Sequence, residues 1–124
     1  MGGRAFIIGL ICAAPFSAIA ASLPLDGTYG NAAGCTLFKT NNYGEDDSAR
    51  ILKPDGLETM VTGCTFKTVT SLPEGRHQVT MTCASEGSGP EDNYEDKAEI
   101  SGDAASGYVV RFGDGTAWEA LGKC

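Results

Sequence analysis

Six consecutive residues, Gln78-Val79-Thr80-Met81-Thr82-Cys83, alternate strictly between polar and apolar side chains. Successive side chains of an extended chain point to opposite faces, so Val79, Met81 and Cys83 share one face and Gln78, Thr80 and Thr82 the other. That is the pattern of a half-buried strand. The same alternation sets Tyr94, Ala98 and Ile100 opposite Glu95, Lys97, Glu99 and Ser101, with Tyr94 read as core, and groups Tyr108, Val110 and Phe112 on one face. Residues 36–39, 50–53, 57–62 and 64–72 are rich in Thr, Val, Phe and Leu and are expected as further strands. Pro54-Asp55-Gly56 and Pro73-Glu74-Gly75 offer the fixed φ of proline and the positive φ open to glycine, and Gly113-Asp114-Gly115-Thr116 offers the latter, so hairpins are expected at all three. Trp118 is expected to pack across the last of them onto Val110. No window of about 11 to 18 residues carries an apolar stripe at helical spacing, which argues against a long helix. The expected fold is therefore all-β, one small antiparallel barrel or sandwich of about seven to eight short strands.

The opening segment has a single basic residue, Arg4, then an apolar run over residues 5–14, then Pro15 and the small-residue stretch Ala18-Ile19-Ala20. This layout predicts a signal peptide over residues 1–21 and one domain over residues 22–124. A membrane span needs about 20 continuous apolar residues, and Pro15 and Ser17 interrupt the run before that length. Cys12 would leave with the leader. Cys35, Cys64, Cys83 and Cys124 then remain, an even set that in an exported chain of this size reads as two disulfides. Three pairings are possible. Cys35 with Cys64 and Cys83 with Cys124 is the preferred one, since it would tie the last residue to a central strand. No C-x-x-C pair occurs, so the usual zinc and dithiol signatures are missing.

The chain carries 9 Lys and Arg against 16 Asp and Glu, a formal charge of -7, and loss of Arg4 with the leader leaves 8 minus 16, or -8. This balance opposes a nucleic-acid partner, whose phosphates require Lys and Arg. Two polar segments exceed turn length. One covers residues 40–48 around Tyr43. The other runs over residues 86–103 and holds Glu86, Glu91, Asp92, Glu95, Asp96, Glu99 and Asp103 against Lys97 alone. From the latter come the candidate partner contacts Glu91, Asp92, Tyr94, Glu95 and Asp96. The oxygens of Glu91, Asp92, Asn93, Glu95 and Asp96 could suit calcium, but the spacing departs from an EF-hand, so a solvated acidic face is expected and no metal. Catalytic constellations fail on inventory. His77 is the only histidine, no G-x-S-x-G elbow or P-loop is present, and the acids crowd into loops rather than pairing in a cleft. No enzyme activity and no cofactor are expected.

In size, disulfide-bearing β plan, export and acidity the chain resembles the bacterial periplasmic inhibitors of c-type lysozyme. That family carries a Ser-Gly-x-x-Tyr element. Here Ser101-Gly102-Asp103-Ala104-Ala105 has the Ser-Gly pair without the tyrosine, and Ser106-Gly107-Tyr108 has the tyrosine two places early. The resemblance implies a periplasmic or secreted protein-binding module, an inhibitor of a cationic hydrolase such as c-type lysozyme, with Ser101, Gly102, Ser106, Gly107 and Tyr108 as a second contact region. The short leader and the lack of Asn-x-Ser/Thr acceptors in residues 22–124 favour a bacterial periplasm. The alternative is an envelope protein that binds a small ligand, a glycan or a metal, its acidity serving solubility.

Overall fold

Turn chemistry at regular intervals and alternating strands dictate a meander. The structure, a computed structural model, describes residues 19–42 and 47–124. Most of the expected leader, with Cys12, and also Tyr43 lie outside the described residues. The elements are β1 (Ile19–Ala20), β2 (Tyr29–Gly30), α1 (Ala32–Thr40), β3 (Arg50–Lys53), β4 (Gly56–Thr59), β5 (Thr62–Ser71), β6 (His77–Ser85), β7 (Tyr94–Asp103), β8 (Gly107–Phe112) and β9 (Ala117–Lys123). Strands β2 to β9 form an eight-stranded antiparallel barrel. The order runs β2-β9-β8-β7-β6, and pairing of β6 with β5 continues it through β4 and β3 back to β2. Strand β1 lies outside the ring, against Val69 and Thr70 of β5. Among the described residues no helix is long and apolar enough to cross a membrane.

All three expected hairpins form. Lys53 pairs with Gly56 around Pro54 and Asp55, Ser71 with His77 around the Pro73 turn, and Arg111 with Ala117 around residues 113–116. In the last of these the Asp114 carboxylate accepts from the backbone N–H and the hydroxyl of Thr116, at 2.9 and 2.7 Å. A fourth hairpin joins β7 to β8, where Asp103 accepts from the N–H and hydroxyl of Ser106, both at 2.7 Å.

The expected faces converge on one core. Val79, Met81, Cys83, Ala98, Ile100 and Val110 are buried, with Tyr108, Phe112 and Trp118 packed against them. Two bulges adjust the inward face. The β5–β6 register slips between Phe66 and Thr68, so Phe66 and Val69 both point inward although three residues apart. On β9 the register slips where Tyr108 opposes Leu121 but Val110 opposes Trp118, and Ala120 sits at φ +59° inside the bulge. An extra residue on one strand re-aims the side chains that follow it.

Residues 36–39, expected as a strand, belong instead to helix α1. Local capping decides this. Asn31 accepts from the Gly34 N–H at the N-terminus, and Asn41 closes the C-terminus in the left-handed region at φ 58°. Nine residues are too few to show an apolar stripe. Asn31 also joins the helix to β3, accepting from the Arg50 N–H at 3.0 Å and donating to the Ser48 carbonyl at 2.7 Å. Gly34 is required at the contact, because a Cβ there would stand 2.2 Å from the Arg50 carbonyl oxygen. The helix covers the outer face of β2 and β3, where Ile51 is buried outside the barrel core.

The two disulfides are present, but their pairing differs from the preferred one: Cys35 bonds Cys124, and Cys64 bonds Cys83. Register explains the second, since Cys64 and Cys83 are direct cross-strand partners with Cα atoms 4.0 Å apart. Cys124 ends the chain beyond β9, three strands from β6, so a bridge to Cys83 is out of reach. It reaches α1 instead, which stands beside β2, the neighbour of β9. Two disulfides fit a chain that matures in an oxidising compartment.

One end of the barrel is closed by residues 23–26. Leu23 is buried, its N–H bonding the Pro54 carbonyl, and with Leu25 it stands over Ile100 and Tyr108. Asp26 accepts from the Tyr29 hydroxyl at 2.7 Å and from Lys123 Nζ at 3.1 Å. These two bonds hold the Asp26 carboxyl below its ordinary value of 3.8. The bond to Asp26 and burial push the Tyr29 phenol up to about 12. Tyr29 has no solvent exposure and meets Tyr108 edge-on at 4.8 Å.

Peptide mapping without reduction should recover Cys35 joined to Cys124 and Cys64 joined to Cys83. The first closes 89 residues and the second 19, so removing the first as a paired Cys→Ala variant should cost more, about 4 to 5 kcal/mol against about 3. Denaturant unfolding would measure both, and equal losses would contradict the ordering. A second outcome concerns acid. Asp103 and Asp114, through their bonds to Ser106 and Thr116, are held below 3.8 as Asp26 is. A depressed carboxyl contributes stability that is fully present above its unfolded value and is lost as pH falls through the folded one. Urea midpoints should therefore hold steady from about pH 7 down to about pH 4.5 and then fall, and the Asp26→Asn, Asp103→Asn, Asp114→Asn triple variant should show a shallower fall.

Candidate functional site

Among the described residues the opposite end of the barrel has no such plug. Strand direction brings four irregular segments to this mouth: the β4–β5 turn, the residue 86–93 connection carrying Glu86, Glu91 and Asp92, the 113–116 hairpin, and the chain entering β3 at Arg50. Between them lies a cavity of about 160 Å³. Leu57, the Cys64–Cys83 disulfide, Phe112 and Trp118 form its apolar wall, and Glu58, Tyr94 and Asp96 bring polar groups to it.

The aromatic side of the wall is ordered by contact. Phe112 and Trp118 meet edge to face with centroids 5.4 Å apart, and the Arg50 guanidinium stands 5.7 Å from the Trp118 ring centroid. Tyr94 is in phase with Ala98 and Ile100 as its sequence position implied, but it is 47% exposed rather than core. It is the first residue of β7, opposite Cys83, and no described residue completes its burial.

The carboxylates differ in how they are engaged. Glu58 pairs with Lys53 at 2.5 Å. Glu95 projects to the outer face, where it takes two bonds from Lys67 Nζ at 3.0 and 3.1 Å and one from the Thr82 hydroxyl at 3.2 Å. Lys67 first and Thr82 second hold its pKa down. Asp96 accepts from the Lys97 backbone N–H at 2.8 Å and, among the described residues, has no ion pair. Glu86, Glu91 and Asp92 likewise lack ion pairs among the described residues. Glu91 and Asp92 form an exposed turn with Pro90. Among the described residues no three His, Cys, Asp or Glu side chains are grouped as a metal site would require.

The residues singled out from sequence therefore divide between two places. Glu91, Asp92, Tyr94 and Asp96 stand at the mouth, with Glu95 beside them on the outer face. Ser101, Gly102, Ser106, Gly107 and Tyr108 lie at the closed end, separated by the ten residues of β7, about 30 Å of strand. Their placement answers to the fold. Gly102 has φ +107° and a Cβ there would lie 2.2 Å from the Gly107 carbonyl, while Tyr108 packs on Tyr29 and its phenol is pushed up by burial. The structure does not join the two groups into one surface. From sequence, Phe112 reads as sharing one strand face with Tyr108 and Val110 and Trp118 as core, and nothing marks Leu57 and Glu58 as wall. The usable signal was an aromatic on each side of the 113–116 turn, which places both rings at one barrel end.

No family model matches the chain, and no curated protein or solved structure matches it.

Proposed function

We propose that the protein is an exported, acidic, non-enzymatic binding module that engages a basic secreted protein through the barrel mouth, with a c-type lysozyme as the first partner to test. One observation carries this reading: the mouth has surplus negative charge. Of the cations nearby, Arg50 stands over Trp118, Lys53 pairs with Glu58 and Lys67 with Glu95, and only Lys97 and Arg111, exposed on β7 and β8, have no ion pair to set against the free acids among the described residues. Glu86, Glu91 and Asp92 are exposed and Asp96 lines the cavity, all without an ion pair among the described residues and beside the exposed Tyr94. Surplus charge of one sign around a recognition surface accelerates encounter with the opposite sign and suppresses like-charged partners. An exposed tyrosine next to it supplies the apolar contact that charge alone does not.

The second reading, a small-ligand or glycan binder of the envelope, is favoured by the mouth cavity itself, whose apolar wall and few polar groups are usual for a ligand site.

Association kinetics separate the two. Neutralising Glu91, Asp92, Glu95 and Asp96 to their amides should lower the association rate with lysozyme about tenfold or more at low salt, while dissociation changes little. Raising salt from about 20 mM to about 300 mM should remove most of that difference. Rates that ignore both changes would reject electrostatic capture and favour the ligand reading.

A further inference from the structure

The cavity is too small for a loop and the right size for one side chain. An apolar cavity of about 150 Å³ is known to hold a benzene ring, and this one measures about 160 Å³. Its wall is not uniform: Leu57, Phe112 and Trp118 are apolar or aromatic, Tyr94 presents an exposed ring, and Asp96 adds a carboxylate with no ion pair among the described residues. A neutral ring would fill this space and leave Asp96 unused.

We infer that the mouth cavity receives a single arginine side chain presented by the basic partner, with its guanidinium against Tyr94 and Trp118 and bonded to Asp96. This rests on the binding role proposed above. A guanidinium is planar, stacks on aromatic faces and matches a carboxylate with two parallel N–H bonds. A lysine ammonium is a compact, strongly hydrated charge that loses more on entering an apolar wall. The chain already makes half of this interaction with its own residues, where the Arg50 guanidinium stands 5.7 Å from the Trp118 ring centroid. Arg50 is not among the residues that line the cavity.

Trp118 is the only tryptophan in the chain, so its fluorescence reports the cavity directly. The oxidised protein would be titrated at constant ionic strength with N-acetyl-arginine amide, its lysine counterpart and its citrulline counterpart, which keeps the shape and loses the charge. Expected is a saturable change of Trp118 emission with the arginine compound, in the millimolar range for so small a ligand. Binding should be about fivefold weaker for lysine and about tenfold or more weaker for citrulline. Asp96→Asn should weaken the arginine compound about tenfold, and Tyr94→Ala, an exposed position that leaves the fold intact by circular dichroism, should do so by severalfold. Glu91→Gln, away from the cavity, should change it less than about twofold. Equal binding of citrulline, indifference to Asp96→Asn, or no saturation would overturn the inference. Lysozyme binding measured in parallel separates the two readings. Lysozyme association without arginine saturation rejects the arginine site and keeps the protein-binding role, whereas arginine saturation without lysozyme association keeps the site and rejects that partner.

Discussion

The barrel closes through two residues. Tyr29 and Gly30 form the whole of β2, the strand that pairs with β3 on one side and β9 on the other. So short a strand contributes few ladder bonds, and an isolated one would be marginal in water. The chain concentrates its other fastenings there. Tyr29 is fully buried and bonded to Asp26, Asp26 reaches Lys123 on β9, Asn31 bonds β3 at Arg50, and the Cys124 N–H bonds the Thr28 carbonyl. The Cys35–Cys124 disulfide fixes helix and C-terminus across the same seam. Closure removes the open edges that an eight-stranded sheet would otherwise expose.

A closed seam makes the two ends of the barrel unequal. The segment before β2 must approach the seam from below, and on its way it lays Leu23 and Leu25 over Ile100 and Tyr108. That end is spent on stability. At the other end the strands of the long pairs run on past the short β3 and β4, so Tyr94, Phe112 and Trp118 stand at the mouth with no described segment above them. The same meander that plugs one end leaves the other without a plug among the described residues, and the acidic connection over residues 86–93 joins β6 to β7 there.

Strands whose sequence keeps strict alternation were legible in advance. β6, the second half of β7 and β8 follow period two without interruption, and their buried residues are the expected ones. β9 was not legible, because the bulge at Ala120 puts Trp118 and Leu121 on one face with a spacing of three. Nor was β2, since two residues carry no period. Residues 36–39 have strand-favouring composition, yet Asn31 and Asn41 cap them into a helix that the Gly34 contact seats on β3. Half of the candidate site was visible as an acidic run with a tyrosine. Its aromatic wall was hidden, because inward-facing Phe112 and Trp118 read the same whether they line a core or a mouth.

Alternation, turn residues and cysteine count, all properties of neighbouring positions, were enough to determine an all-β domain with two disulfides and hairpins at 54–55, 73–75 and 113–116. These are local effects, each settled by side-chain direction or by the φ that proline and glycine allow. Pairing of the cysteines, closure through β2 and the division of Glu91 to Asp96 from Ser101 to Tyr108 were decided only by tertiary structure. Each depends on which strands meet around the ring and at which register, and register is set by bulges and by packing between residues far apart in the chain. Cys64 faces Cys83, and Tyr94 stands at an open mouth, because of where β5, β6 and β7 lie against one another.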